Sequence, residues 1–284
     1  MRGMKLALAL SDQVDMPYEE QVRLLKKIGF DGCSYEWLPG CDVAPVKKVC
    51  DEVGMEMLYL HGPYDGLPHL WREDEGTERI MTELMDCVHA CADNGIKMMV
   101  AHGMFGFGSL GYLDHQPTEF GLMNYGKVVR EAARLGVKIA FENVEGDEFL
   151  FALMDRFGRE ENVGFCWDTG HQMCYNPTVD MMALYGDKLI MTHINDNLGV
   201  WDYDGKIIWR DDLHLLPFDG IADWEDYARK IKKSGYTGML NLELSRKNVP
   251  GRQDKNLYEK MDPVDYLHEV YKRACRLAAL IMKA

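Results

Sequence analysis

Apolar positions along this chain alternate between two rhythms. Short β-like runs such as "KLALAL" and "KIAF" are separated by longer stretches whose apolar residues fall three and four apart. In "TERIMTELMDCVHACADNG", Ile80, Leu84, Cys87, Val88 and Cys91 share one side of a helix. The short runs predict strands at Lys5–Leu10, Gly32–Glu36, Glu56–Leu60, Lys97–Ala101, Lys138–Phe141, Gly164–Trp167, Leu189–Thr192 and Met239–Leu242. Gly29, Gly54, Gly95, Gly136 and Gly235 stand where helices must stop, because glycine takes a left-handed C-cap without a Cβ penalty. Asp262 before Pro263 predicts an N-cap followed by proline in the first helical turn.

Eight strand–helix alternations in 284 residues, with no Gly/Ser-rich linker, predict a single α/β domain over residues 1–284, a (β/α)8 TIM barrel. An open doubly wound sheet would carry a glycine-rich phosphate fingerprint after its first strand, and "LALSDQVDM" has none. In a barrel the reactive groups stand at the carboxyl ends of the strands, where the loops converge.

Those ends are chemically loaded. Glu36-Trp37 follows the second strand, His61 the third and His102 the fourth. The remaining four end on Glu142, Asp168, His193 and Glu243, and only the first ends blandly, at Ser11-Asp12. His171 in "WDTGH" and Asp212 with His214 in "RDDLHLLPFDG" lie nearby in sequence. A lone ionised carboxylate such as Glu142 is costly to bury, so a strand ending on one needs a partner. Imidazoles and carboxylates on Glu142, Asp168, His193 and Glu243 make up the ligand set of a divalent metal. His61, His102, His171, Asp212 and His214 are candidates either for a second metal or for substrate hydrogen bonds, and Glu36 reads as a polar rim residue.

Composition narrows the function classes. Hydrophobic residues make up 47% of the chain, ample for a globular core, and the formal net charge is −14. That charge favours a small-molecule substrate over nucleic acid, whose binders carry a basic face. The eight cysteines form no CxxC pair, and Cys87 and Cys91 sit on an apolar helix face as small core hydrophobes. "MRGMKLALAL" is followed at once by "SDQVD", unlike a secretory signal, and no apolar run reaches the ~20 residues of a spanning helix. A cytoplasmic, reduced, soluble protein with no membrane partner is expected.

The segments "FEN" with Glu142, "WDTGH" with Asp168 and His171, "THINDN" with His193, "DLHLLPFDGIADW" with His214 and "LNLELS" with Glu243 resemble the xylose isomerase-like sugar phosphate isomerase/epimerase superfamily of TIM barrels. The resemblance covers nearly the whole chain. It implies that Glu142, Asp168, His193 and Glu243 bind one divalent ion (Mn²⁺, Zn²⁺ or Co²⁺), with Glu142 and Glu243 as acid and base on opposite faces of a sugar. The implied reaction is proton transfer through a metal-stabilised enediolate. Glu148, six residues after Glu142, matches a substrate-binding glutamate of ketose epimerases, with Glu145 and Asp147 close by. The arginine that some of those enzymes carry six residues after the metal histidine is replaced by Gly199.

The same superfamily includes endonuclease IV-type apurinic/apyrimidinic endonucleases, multi-zinc phosphodiesterases. Their ligands map onto His61, His102, Glu142, Asp168, His171, His193, Asp212, His214 and Glu243. Against DNA stand a loop after the fourth strand, "GMFGFGSLGYLDHQPTEF", without Lys or Arg, and a mainly acidic "REDEGTERIM". A sugar-binding barrel without turnover, or a lyase of the same superfamily, is the remaining alternative. The expected partner is a small-molecule sugar or sugar phosphate, with a homo-oligomer left open. Arg246, Lys247, Arg252 and Lys255 after the last strand occupy a common phosphate position in barrels or form a solvated loop. Trp37, Tyr64, Trp71, Phe105, Phe107 and Trp201 are aromatic candidates near the mouth, and Asp204-Gly205 reads as a hairpin turn.

Overall fold

The computed structural model describes residues 3–106, 116–200 and 209–284. The chain runs β1 (Leu6–Ala9), α1 (Tyr18–Ile28), β2 (Gly32–Glu36), α2 (Ala44–Val53), β3 (Glu56–His61), α3 (Thr77–Asp93), β4 (Met98–His102), α4 (Glu119–Leu135), β5 (Lys138–Glu142) and α5 (Asp147–Phe157). It continues through β6 (Val163–Asp168), α6 (His171–Cys174), α7 (Met181–Tyr185), β7 (Leu189–His193), α8 (Trp224–Ser234), β8 (Leu240–Leu242), α9 (Asn256–Lys260) and α10 (Pro263–Lys283). The strands form one eight-stranded sheet in the order β7-β6-β5-β4-β3-β2-β1-β8. Strand β8 pairs in parallel with β1, Leu6 opposite Leu240, and a further parallel bridge joins Ile194, just past β7, to Leu242. The sheet therefore closes on itself as a (β/α)8 barrel.

All eight predicted strands are present, with one informative shift in their ends. Strands β3 to β7 each run far enough to include the reactive residue, so that His61, His102, Glu142, Asp168 and His193 are the last strand residues. The reason is that the ladder continues through them: His102 is in register with Glu142, and Glu142 with Cys166. Strands β1 and β8 are shorter than predicted. Gly54, Gly95, Gly136 and Gly235 take φ between 66° and 74° after their helices, as a left-handed stop requires. Asp262 caps α10 by accepting from the Val264 and Asp265 amides, ahead of Pro263.

The chain divides into two compact units, Met1–Ser34 with Pro45–Met57 and Trp167–Ala284, and Tyr35–Ala44 with Leu58–Cys166. In the first, α10 buries Tyr266, Leu267, Val270, Ala274, Leu277, Ala278 and Ile281 against α1 and α8. In the second, α3 buries Ile80, Leu84, Cys87, Val88 and Cys91, the side read from the sequence, and packs on α4. Trp71 is buried there between Tyr125 and Phe149, with ring centroids 5.3 and 4.9 Å away. A Cβ on Gly121 would overlap the Trp71 ring, which fixes glycine in α4. No described helix is long and apolar enough to cross a membrane. Phe107, Trp201 and the turn at Asp204-Gly205 lie outside the described residues.

Candidate active site

In the second unit, register brings three strand ends together. His61 is opposite Val100, and His102, two residues further, is opposite Glu142. Because side chains alternate between faces, these offsets put His61, His102 and Glu142 on the same face. Glu142 is 1% exposed, and its Oε2 lies 3.1 Å from His102 Nε2 and 3.4 Å from His61 Nε2. The buried carboxylate thus has two imidazoles within reach, which meets the requirement set by its sequence position. The His61 and His102 rings meet edge to face, with centroids 4.8 Å apart, and Tyr64 and Phe105 border them. Tyr125 holds the end of β4 by donating to the His102 and Gly103 carbonyls at 2.9 and 3.0 Å. Glu36 is an exposed rim residue that accepts from the Tyr64 hydroxyl. Glu148 sits half-buried in the first turn of α5, while it is Glu145 whose carboxylate accepts from the Gly106 amide.

The first unit carries the other groups. His193 Nδ1 lies 3.0 Å from Glu243 Oε2, in line with a bridge register that places residues 193, 241 and 243 on one face. Asp168 is fully buried and accepts twice: from the His171 amide at Oδ1, 2.6 Å, and from Asn195 Nδ2 at Oδ2, 2.8 Å. Asp212 Oδ2 takes His171 Nε2 and His214 Nε2, each at 3.0 Å. Burial opposes charge on Asp212, but the His214 and His171 imidazoles hold its carboxyl far below the usual range. Burial likewise opposes charge on His214, and the Asp212 carboxylate overcomes this, raising the imidazole to about 9.

Two sets of three donors, one within each unit, are compact enough to hold a cation. These are His61, His102 and Glu142, and Asp168, His171 and His214, each with ligand atoms within 4.8 Å of one another. Imidazole nitrogen with carboxylate oxygen is the donor chemistry of Zn²⁺, Mn²⁺ and Co²⁺, so the residues fit the expected metal.

Two residues missed in the sequence support these groups. Asn195 orients Asp168, and a side chain on Gly170 would overlap the Asn195 amide, so glycine is what lets that amide approach. Asp196, also fully buried, accepts from the amides of Asn197, Phe218 and Ala222 and from Trp224 Nε1. It thereby folds "HLLPFDGIADW" back onto the end of β7, and a Cβ on Gly220 would overlap its carboxylate. The signal in the sequence is the polar run Asn195-Asp196-Asn197, one residue beyond the strand that ends on His193.

Each unit thus carries strand-end imidazoles and carboxylates compact enough to hold a cation. Residues 22–264 match the model of the xylose isomerase-like TIM barrel family, and the chain belongs to that family. Over 113 residues, 38% of its length, it is 36% identical to protein y4fM of Sinorhizobium fredii (strain NBRC 101917 / NGR234), and the match spans about a third (33%) of that relative. It spans 41% of a xylose isomerase-like TIM barrel/4-hydroxyphenylpyruvate dioxygenase fusion protein (TM-score 0.65, 15% identity, 91% of this chain). The fold is also shared with the IOLI protein with a binding zinc atom (TM-score 0.74, 17% identity, 97% of this chain and 98% of that one). A D-psicose 3-epimerase with D-tagatose from Clostridium cellulolyticum H10 is similar as well (TM-score 0.72, 14% identity, 98% and 99%).

Proposed function

We propose that the protein is a divalent-metal-dependent sugar isomerase or epimerase, with Glu142, Asp168, His193 and Glu243 holding one Mn²⁺, Zn²⁺ or Co²⁺. The observation that carries this reading is a pair of strand-end glutamates each set against imidazole, Glu142 by His61 and His102, and Glu243 by His193. The neighbour named as an epimerase supports the reaction class, and the neighbour named with a zinc atom supports the metal. When bound, such an ion supplies Lewis acidity at the sugar's carbonyl and adjacent hydroxyl oxygens.

The chain's own residues do the rest. One of Glu142 and Glu243 takes the proton from the carbon beside the carbonyl, and the other delivers a proton. Delivery to the opposite face of the same carbon is epimerisation; delivery at the neighbouring carbon is aldose–ketose isomerisation. His171 and His214 either join Asp168 around a second cation or, with Asp212 and Glu148, bind substrate oxygens in this reading, and Tyr64 and Phe105 offer an apolar face to the ring. Positioned acid–base groups contribute ~10²–10⁴-fold, so orientation and the metal carry the remainder.

The substrate we propose is unphosphorylated. Arg246 is 5% exposed and spends its guanidinium on Asp15 Oδ2 and on the Gln13, Glu259 and Met261 carbonyls. Lys247 pairs with Asp15 at 2.6 Å, and Arg252 with Asp211 and Asp254 at 2.9 and 2.7 Å. The cations at this common phosphate position of barrels are thus turned to the protein's own acceptors, Arg246 and Arg252 largely buried and Lys247 in a half-exposed pair.

The test is proton exchange. With Mn²⁺ added, a ketose substrate in D₂O should lose the ¹H NMR signal at the carbon beside its carbonyl as its isomer or epimer forms, and the phosphorylated ketose should react at least tenfold more slowly. No exchange across free and phosphorylated ketoses and aldoses would refute the reading. A second reading, the multi-zinc phosphodiesterase, draws support from the two separate three-donor sets. Cleavage of abasic-site DNA with two or three bound Zn²⁺ would put it first. Replacing the Asp168 orienter, Asn195→Ala, is expected to weaken Zn²⁺ binding ~10–100-fold with the fold intact, measured by calorimetric titration. An unchanged affinity would remove Asn195 from the site.

A further inference from the structure

Lys255 immediately precedes α9 and is 1% exposed, and its ammonium donates to the Leu213 carbonyl at 3.0 Å. A lysine is rarely buried this deeply, since removing an ammonium from water costs several kcal/mol unless it is compensated. An apolar side chain would fill the same space without that cost. The location of its acceptor is therefore informative: Leu213 is the residue between Asp212 and His214.

That turn needs holding. His214 has φ 48°, a left-handed conformation unfavourable for a residue with a Cβ. On one side it is tied by Ser245 N–H to the His214 carbonyl at 3.0 Å and by its ring nitrogen Nδ1 to the Glu243 carbonyl at 3.1 Å. Lys255 supplies the tie on the other side and is itself held, its amide donating to Asn248 Oδ1 at 2.8 Å. Arg252 reinforces the arrangement by pairing with Asp211. Burial pushes the Lys255 ammonium down to about 8, with the Asp212 carboxylate foremost among the groups that oppose this, so the cation stands within the field of the site.

We propose that Lys255 is a positioning residue: through the Leu213 carbonyl it fixes the backbone between Asp212 and His214, keeping Asp212 Oδ2 in reach of both the His171 and His214 imidazoles. The inference rests on reading those three residues as site groups, as proposed above.

The test uses the full-length protein and two readouts. The first is the imidazole ¹⁵N–¹H NMR spectrum of metal-free protein, with the His171 and His214 signals assigned through His→Gln variants. Lys255→Met should shift both signals, whereas Lys255→Arg, which keeps charge and donor, should leave them near wild type. The second is Zn²⁺ titration, where Lys255→Met should bind at least tenfold more weakly. Unchanged imidazole signals and Zn²⁺ affinity in Lys255→Met, even with a lowered melting temperature, would reduce Lys255 to a packing residue and overturn the proposal. If the Met variant does not fold, Lys255→Leu, which likewise removes both the charge and the N–H donor to Leu213, is read in the same way. Wild-type protein that binds no Zn²⁺ would count against the metal reading, and the metal-free spectra would still decide the role of Lys255.

Discussion

Glu142→Gln is expected to reduce turnover by at least ~10³-fold while leaving the barrel folded, because the substitution keeps the side chain's size and removes its ability to take or hold a proton. Glu142 lies at the end of β5, 1% exposed, with His102 and His61 nitrogens 3.1 and 3.4 Å from one carboxylate oxygen. Breaking a buried ion pair is severe when it strands a charge, costing ~3–5 kcal/mol. Here the partners are imidazoles, which can hydrogen-bond a glutamine amide as neutral rings, so no buried charge is stranded. The melting temperature should therefore move by only a few degrees, and the loss should fall almost wholly on catalysis. Deuterium exchange at the sugar carbon, steady-state kinetics and thermal melting on the same preparation check this. Turnover within tenfold of wild type would exclude Glu142 as acid or base.

The sequence already contained the part of this site that depends on short-range pattern. Strand positions, the helix side carrying Cys87 and Cys91, and the glycine stops are set by residues close in sequence, and the structure agrees with them. The strand ends were one residue off because a ladder's last pair depends on the neighbouring strand, as with His102 and Glu142. What the sequence concealed is long-range compensation. Arg246 and Lys255 look like loop cations until their acceptors, which come from Gln13, Asp15 and Leu213, are known. Asn195 and Asp196 look like the polar start of a loop, yet both are fully buried because Asp168 and the 218–224 segment meet them there. No local periodicity reports a partner 20 or more residues away.

Asp196 gives the largest expected effect on stability. Its Oδ1 accepts from the Asn197 and Ala222 amides at 2.9 and 3.1 Å, and its Oδ2 from the Phe218 amide and Trp224 Nε1, both at 2.9 Å. Phe218 is held there at φ 77°, a conformation that a phenylalanine does not adopt without such restraint. Asp196→Ala leaves these donors without their acceptor in a buried setting. Each stranded donor costs ~1–3 kcal/mol, and relaxation of the loop keeps the total below the sum, so a loss of ~3–5 kcal/mol is expected. For a chain of this size that lowers the melting temperature by about 10 °C. Asp196→Asn separates shape from charge: it fits the same space, but its NH₂ must face N–H groups that need an acceptor, so it should destabilise nearly as much. Because Asp196 also exchanges backbone hydrogen bonds with Leu215, next to His214, both variants should lose Zn²⁺ affinity together with stability. An asparagine variant that melts like the wild type would mean that the four donors are satisfied by some other acceptor, and that the carboxylate is not what holds the His214 loop in place.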